Sequence, residues 1–204
     1  MTRNKKIALA SLFIVVSAIG CIWSFFEGDK FMLYFTNLSN YLCLIMMCVE
    51  LIRMIRHRQL SHALAITLFC TMIAIVITGI IYNTLLTTPF EDGYWTNYHS
   101  IIMHLINPSL FVIYYFAAGL GKSLRLRDTA WCVLFPYLYL LMIVIRHFIT
   151  CDSWFPYFFV DPAKAGGVSG IALWIAIQSV FFIALGLLLR YLGSIGKPAR
   201  SGDC

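Results

Sequence analysis

The chain alternates between long runs of apolar residues and short polar segments. Six of the runs are long enough to cross the hydrocarbon core of a bilayer as helices, which takes about 20 residues. They are Ile7–Phe26, Met32–Ile52, Ala63–Leu86, Ser100–Ala118, Thr129–Ile149 and Val168–Tyr191. The pattern predicts an all-α integral membrane protein, with one six-transmembrane-helix bundle over residues 1–192 and a flexible cytoplasmic tail over residues 193–204.

Composition supports a membrane protein over a soluble one. Hydrophobic residues make up 61% of the chain, charged residues only 12%, and the mean hydropathy is +0.84. A soluble chain of 204 residues could not bury so much apolar surface. The first run follows a basic segment, as a signal peptide would, but it is longer than a typical signal core and no small-residue cleavage site ends it. We therefore expect it to remain as a helix.

The basic residues predict the orientation of the helices. The connecting segments at one end of the predicted bundle carry most of them: Arg3, Lys5, Lys6, Arg53, Arg56, Arg58, Lys122, Arg125, Arg127, Arg190, Lys197 and Arg200. The opposite end has only Lys30 and Lys164, and Arg146 lies within the fifth run. Because short loops rich in Lys and Arg stay in the cytoplasm, both termini are predicted to be cytoplasmic. This bias accounts for the net charge of +6, and no basic patch with interleaved aromatic residues indicates a nucleic-acid partner.

Polar residues within the runs gather near the end opposite the basic loops. They are Thr36, Asn37 and Asn40 in the second run, Asn83 in the third, His104 and Asn107 in the fourth, and Arg146 and His147 in the fifth. Such residues are costly in lipid unless they face a protein interior. At about 1.5 Å per helical residue, Thr36 and His104 each lie roughly 6–9 Å inside the predicted ends of their helices. The pattern predicts one polar pocket, covered by the long loops 87–98 and 150–167.

Acyl transfer is one chemistry that this pocket favours. A threonine hydroxyl becomes a nucleophile when a neighbouring base takes its proton, and a neutral histidine is the usual base, so Thr36 and His104 form a candidate catalytic pair on a lipid ester. The remaining polar residues would donate to the oxyanion, orient the histidine or bind substrate; they are Asn37, Asn40, Asn83, Asn107, Arg146 and His147. A guanidinium group such as that of Arg146 matches the geometry of a substrate carboxylate.

Two other functions stay open on the residues alone. His104 and His147 could be the axial ligands of a haem, although such proteins often have a second histidine pair. The chain could also bind lipid without catalysis, with Thr36 packing a helix contact and the asparagines joining helices. The seven cysteines have no Cys-x-x-Cys pair or metal-ligand spacing. We expect no metal site, and no cofactor if the protein is a hydrolase. The sequence does not predict an oligomeric state.

Several motifs resemble the androgen-induced-protein family, which includes the androgen-dependent TFPI-regulating proteins and bacterial six-helix relatives. The matching residues are Tyr34 to Asn40 (YFTNLSN), Trp95, Asn97, Met103, His104, Pro108, Arg146, His147, Trp154 to Phe158 and Asp161. The resemblance implies an intramembrane threonine hydrolase that cleaves fatty acid esters of hydroxy fatty acids. The family's catalytic threonine and histidine fall on Thr36 and His104. The YFTNLSN motif is closest to the bacterial branch, which implies a location in a bacterial inner (plasma) membrane.

Overall fold

Six long helices make up most of the computed structural model, which describes residues 1–26, 28, 30–87 and 93–195. Their bounds are α1 Arg3–Ser24, α2 Phe35–Ile55, α3 His62–Leu86, α4 Tyr98–Ala118, α5 Leu126–Thr150 and α6 Gly167–Ser194. Each is long and apolar enough to cross a membrane, and the described residues contain no strand. The six predicted helices are confirmed. The predicted tail begins two residues too early, since α6 continues through Ser194, and residues 196–204 lie outside the described part of the chain.

The helices run alternately up and down, so the bundle has two chemically different ends. At the basic end, near residue 3, cationic side chains reach the carbonyl groups that end neighbouring helices. Lys6 Nζ donates to the Ala118 carbonyl over 2.8 Å, and Arg3 Nε donates to that of Met54 over 3.1 Å. The loop end, opposite, carries the segments that join α1 to α2, α3 to α4 and α5 to α6.

Burial divides the helices into two groups. In the most apolar stretch of each helix, 61% of residues are buried in α3, against 17% in α5 and 11% in α6. No charged residue interrupts α3, so this helix can be packed on every side. We call α1 to α4 the core bundle, with α3 at its centre, and α5 and α6 the peripheral pair.

Helix geometry changes near the loop end of the core bundle, where α3 and α4 meet. The last turn of α3, Tyr82–Leu86, and the second turn of α4, Ile102–Ile106, are both π-helical. Such turns are rare and concentrate at functional sites. Gly79 allows the contact, because a Cβ atom there would lie 2.7 Å from the His104 carbonyl oxygen. The close approach of the two helices positions His104 against the end of α3.

Candidate functional site

Asn40 and Asn107 join three helices of the core bundle. Both side chains are fully buried. The Asn40 amide donates to the carbonyls of Thr36, at 2.9 Å, and Met103, at 3.2 Å. Asn107 donates to Asn40 Oδ1 at 2.7 Å and to Ser17 Oγ at 3.4 Å. These donors are therefore engaged in connecting α1, α2 and α4, which favours a packing role over oxyanion binding.

Asn37 belongs to a second buried group at the same level. Ser24 Oγ of α1 lies 3.2 Å from Asn37 Oδ1 of α2 and 3.0 Å from His99 Nε2 of α4. Asn37 is 2% exposed and His99 is 5% exposed. This group also connects the three helices, and it includes His99, which the sequence analysis did not select as a site residue.

Asn83 holds the end of α3 against α4. Its amide donates to the Gly79 carbonyl over 2.7 Å and to the His104 carbonyl over 3.1 Å. Its carbonyl oxygen accepts from the hydroxyl of Tyr94, in the loop before α4. Asn83 therefore fixes the backbone that carries His104.

His104 is held in an orientation that suits a general base. Its Nδ1 lies 2.9 Å from the Ser100 carbonyl, and its ring stacks on Tyr82 with the centroids 3.5 Å apart. A carbonyl oxygen only accepts, so Nδ1 carries the proton, and Nε2 of the neutral ring keeps a free lone pair. Among the described residues, Nε2 has no hydrogen-bond partner.

Thr36 lies closer to the helix end than its sequence position predicts. Phe31–Leu33 form a short 3-10 turn and α2 begins at Phe35, so Thr36 is about 1.5 Å inside its helix instead of 6–9 Å. The chain bends here because Tyr139 of α5 donates to the Leu33 carbonyl over 3.0 Å. His104, six residues into α4, keeps its predicted depth.

The side chain of Thr36 faces a cavity beside Tyr157, from the loop between α5 and α6. Burial raises the pKa of Tyr157 to about 12, while the nearby Thr36 side chain and backbone oppose this shift. Tyr157 thus stays protonated at neutral pH. Its neutral hydroxyl is a hydrogen-bond donor close to the candidate nucleophile.

The cavity lies between the core bundle and the peripheral pair. Its interior volume is about 70 Å³, it is open on one side, and its wall combines the start of α2, the end of α3, and α5 and α6. Most of the lining is apolar or aromatic. Its polar side chains are Thr36, Thr78, Tyr82, Tyr137, Tyr139, Tyr157, Gln178 and Ser179. Of the two loops predicted to cover the pocket, 151–166 supplies Tyr157, Phe159 and Val160, whereas residues 88–92 of the other lie outside the described chain.

Thr36 lines the cavity, whereas His104 is not among the residues that line it. In the described part of the chain, no hydrogen bond joins the Thr36 hydroxyl to His104. Tyr82 is their common neighbour, since it lines the cavity with Thr36 and stacks on the His104 ring.

Arg146 and His147 contact a different part of the protein. Arg146 Nη2 pairs with Asp152 over 2.7 Å, and its guanidinium lies 5.0 Å from the centre of the Trp154 ring. His147 Nδ1 lies 2.8 Å from the Asp152 carbonyl, and its ring packs on Phe155. Neither residue lines the cavity. The guanidinium is therefore occupied by the protein's own carboxylate, and both residues anchor the loop after α5.

The contacts of His104 and His147 can be compared with those that an axial haem ligand needs. Each ring has its Nδ1 at a backbone carbonyl and its face against an aromatic ring, Tyr82 for one and Phe155 for the other. An axial ligand binds iron through Nε2 in the plane of its ring, so contacts at Nδ1 and at the ring faces do not decide the haem alternative. Within the described ranges, no group of three or more His, Cys, Asp or Glu side chains has the arrangement of a metal site.

Two features of the structure were missed in the sequence. Glu50 is fully buried near the basic end, where Arg53 binds it through two nitrogens at 2.6 and 2.8 Å and Tyr114 donates to it over 2.8 Å. The spacing of three residues between Glu50 and Arg53 was an available signal. Gln178, an amide within an apolar helix, was another, and it lines the cavity.

Comparisons with known proteins identified no relative of this chain. Family models, curated proteins and solved structures gave no significant match to the chain.

Proposed function

We propose that this protein is a membrane hydrolase that cleaves lipid esters in the cavity, with Thr36 as nucleophile and His104 as general base. The observation that carries the proposal is the position of Thr36, at the wall of a mainly apolar cavity that is open on one side. The free Nε2 of His104, next to the cavity residue Tyr82, supports it. Esters of hydroxy fatty acids, suggested by the motif resemblance, are the substrate class to test first.

The proposed reaction has two steps. Thr36 Oγ1 attacks the ester carbonyl carbon while His104 Nε2 accepts the hydroxyl proton, and the alcohol leaves with that proton to give an acyl-threonine. A water molecule then attacks the acyl carbon, His104 accepts its proton, and Thr36 regains a proton as the carboxylic acid departs. Catalytic hydrogen bonds are often long before substrate binds, so the separation in the free protein is compatible with this scheme.

We assign the oxyanion donor to Tyr157 instead of an asparagine. The donors of Asn40, Asn83 and Asn107 are already bonded to backbone carbonyls or to one another. The neutral hydroxyl of Tyr157 lies beside Thr36, where the negative charge of the transition state would develop. Removing one such donor in other enzymes lowers kcat by about 10²–10³-fold.

We further propose that the helices span a bacterial plasma membrane with both termini in the cytoplasm, so that the cavity lies in the outer leaflet. The charge bias between the two ends supports this orientation. A membrane-impermeant maleimide should label the exposed Cys151 at the loop end in intact cells. A cysteine introduced at exposed Arg56, in the Cys151→Ser background, should react only after lysis. The reverse pattern would place the cavity in the inner leaflet.

A lipid-tailed fluorophosphonate, which traps activated hydroxyl nucleophiles, tests the hydrolase directly. Thr36→Ala should abolish labelling, and His104→Ala should reduce it strongly by removing the base. Ser39→Ala is the matched control, because the Ser39 hydroxyl lies three residues away but is fully buried against Thr78. Labelling that persists in Thr36→Ala and maps to another residue would show that the assigned nucleophile is wrong.

Lipid binding without catalysis is the second candidate function. It is favoured by one observation, the absence of a hydrogen bond between Thr36 and His104 in the described structure. In that case the probe would label no residue, and no ester would be cleaved. Lipid extracted from the purified protein would still contain a component that competes for the cavity.

A further inference from the structure

We propose that Gln178 is a specificity residue of the cavity, and that it binds a hydroxyl or keto oxygen carried part-way along the acyl chain of the ligand. This inference rests on the proposed function in one respect, which is that the cavity holds an acyl lipid. It adds a second polar contact, separate from the ester group at Thr36.

Gln178 is unusual among the polar side chains of α6. Ser179, its neighbour, donates to the Ile175 carbonyl over 2.6 Å and lies 2.8 Å from the Tyr137 hydroxyl. Gln178 is half-buried and lines the cavity, and it forms no hydrogen bond with any group in the described part of the chain. An amide without a partner is unfavourable in apolar surroundings, so a ligand group that pairs with it gains affinity.

The position of Gln178 determines which part of a ligand it would meet. It lies 11 residues into α6, about 16 Å along the helix from Gly167. Thr36, by contrast, lies at the very start of α2. A chain whose ester carbonyl is at Thr36 would therefore reach Gln178 some distance along its length.

The cavity continues on both sides of Gln178. The residues of α6 that line it extend from Trp174 to Phe182, a span of about 12 Å, and Gln178 is at the middle. Trp174 on one side and Phe182 with Val133 on the other form apolar walls. This order of apolar, polar and apolar lining fits a chain with one internal polar group.

The chemistry of the Gln178 amide limits which polar group the ligand chain could carry. A carboxamide donates through its nitrogen and accepts through its oxygen, so it pairs with a hydroxyl or a keto oxygen. It carries no charge to favour a carboxylate. The other deep hydroxyls, those of Tyr137 and Ser179, are bonded to each other. Gln178 is thus the group on this wall with open hydrogen-bonding capacity.

The test compares the binding of stearic acid with that of stearic acid hydroxylated at mid-chain, neither of which contains an ester to cleave. Both compete with a brominated stearic acid that quenches Trp174, and Trp174→Phe identifies the part of the fluorescence signal that comes from the cavity. The wild-type protein should bind the hydroxylated acid about five- to tenfold more tightly, the range expected for one added hydrogen bond. Equal affinities in the wild type would overturn the proposal.

Two variants test whether the preference for the hydroxylated acid depends on Gln178. Gln178→Leu, similar in size but without polar atoms, should bind both acids equally, chiefly through weaker binding of the hydroxylated one. Ser179→Ala should keep the wild-type preference, because it leaves the Gln178 amide in place. A preference that survives Gln178→Leu would also overturn the proposal.

The two proposals fail separately in these experiments. If the fluorophosphonate labels nothing but the hydroxylated acid is preferred in a Gln178-dependent manner, the hydrolase proposal falls and the Gln178 assignment stands. If Thr36 is labelled and both acids bind equally, the hydrolase stands and the Gln178 assignment falls.

Discussion

The core bundle and the peripheral pair place polar side chains in long apolar helices in two different ways. In the core, Asn40, Asn83 and Asn107 donate to backbone carbonyls or to each other, and the carboxylate of Glu50 binds Arg53 and Tyr114. At the periphery, Gln178 faces the cavity without a hydrogen bond to the described residues, and the Thr36 side chain faces it from the core side. A polar residue in a long apolar helix therefore indicates function only when its hydrogen bonds remain open. Asn40 and Asn83 do not meet that condition, whereas Asn107 keeps its Oδ1 without a partner among the described residues.

The largest effect should come from breaking the buried charge pair of the core. Arg53→Met leaves the Glu50 carboxylate in a fully buried site with only Tyr114 as a partner. Removing one member of a buried pair costs about 3–5 kcal/mol. Thermal unfolding in detergent measures the loss. Arg56→Met, at an exposed position directly after the end of α2, should leave the midpoint almost unchanged, and a similar loss there would point to a general charge effect.

A smaller loss is expected from separating α3 and α4. Gly79→Ala places a Cβ atom 2.7 Å from the His104 carbonyl oxygen, a backbone atom that must shift. Such overpacking costs about 1–3 kcal/mol. Gly186→Ala is the control in the peripheral pair, where the nearest atom is the Cys132 sulfur at 3.2 Å. Unfolding midpoints that fall equally in both variants would contradict the distinction between tight core and loose periphery.

The third prediction compares one amide from each region. Asn40→Leu removes the hydrogen bonds that join α2 to α4, and should lower the free energy of unfolding by about 1–2 kcal/mol. Gln178→Leu removes no hydrogen bond within the described protein and should change it by less than about 0.5 kcal/mol. Equal losses measured by denaturation in detergent would show that Gln178 is a packing residue.

The smallest effect concerns the loop that covers the cavity. The bond from Arg146 and the proximity of Lys30 hold the pKa of the Asp152 carboxyl well below its ordinary value. A depressed pKa gives stabilisation that is present above the unfolded-state value, about 3.9, and is lost as the pH falls through the folded-state value. Trp154 fluorescence should thus stay constant from pH 7 to about pH 4 and change only below it.

Asp152→Asn provides the control for the loop prediction. It removes the charge that pairs with Arg146, so the acid-induced change of Trp154 fluorescence should disappear. An acid-induced change that persists in Asp152→Asn would show that a group other than Asp152 controls the loop.

The sequence predicted the types of side chain at the candidate site better than it predicted their hydrogen-bond partners. In the structure Asn40 and Asn107 join α2 to α4. Thr36 instead lines the cavity, and His104 stacks on Tyr82 of α3. The sequence could not show that the Asn40 amide donates to the Met103 carbonyl, because hydrogen-bond partners on separate helices depend on how the helices pack. The hydrolytic roles of Thr36 and His104 stay predictions.

The loop after α5 illustrates a second limit. Arg146 and Asp152 are only six residues apart, but they meet because the chain reverses at Cys151, which has a φ of 49°. A non-glycine residue in this left-handed conformation has no clear sequence signature. The sequence therefore favoured a substrate carboxylate as the partner of Arg146, whereas the folded loop supplies Asp152.

The sequence by itself determined the six helices, because the apolar length needed to cross a bilayer is a local property of each run. It also determined which residues could perform chemistry. Tertiary structure decided where α2 begins, through the bond from Tyr139 to the Leu33 carbonyl, and which amides are engaged in packing. It also decided that Gln178 lines a cavity. These features depend on distances between residues far apart in the chain, and such distances are fixed only when the helices pack.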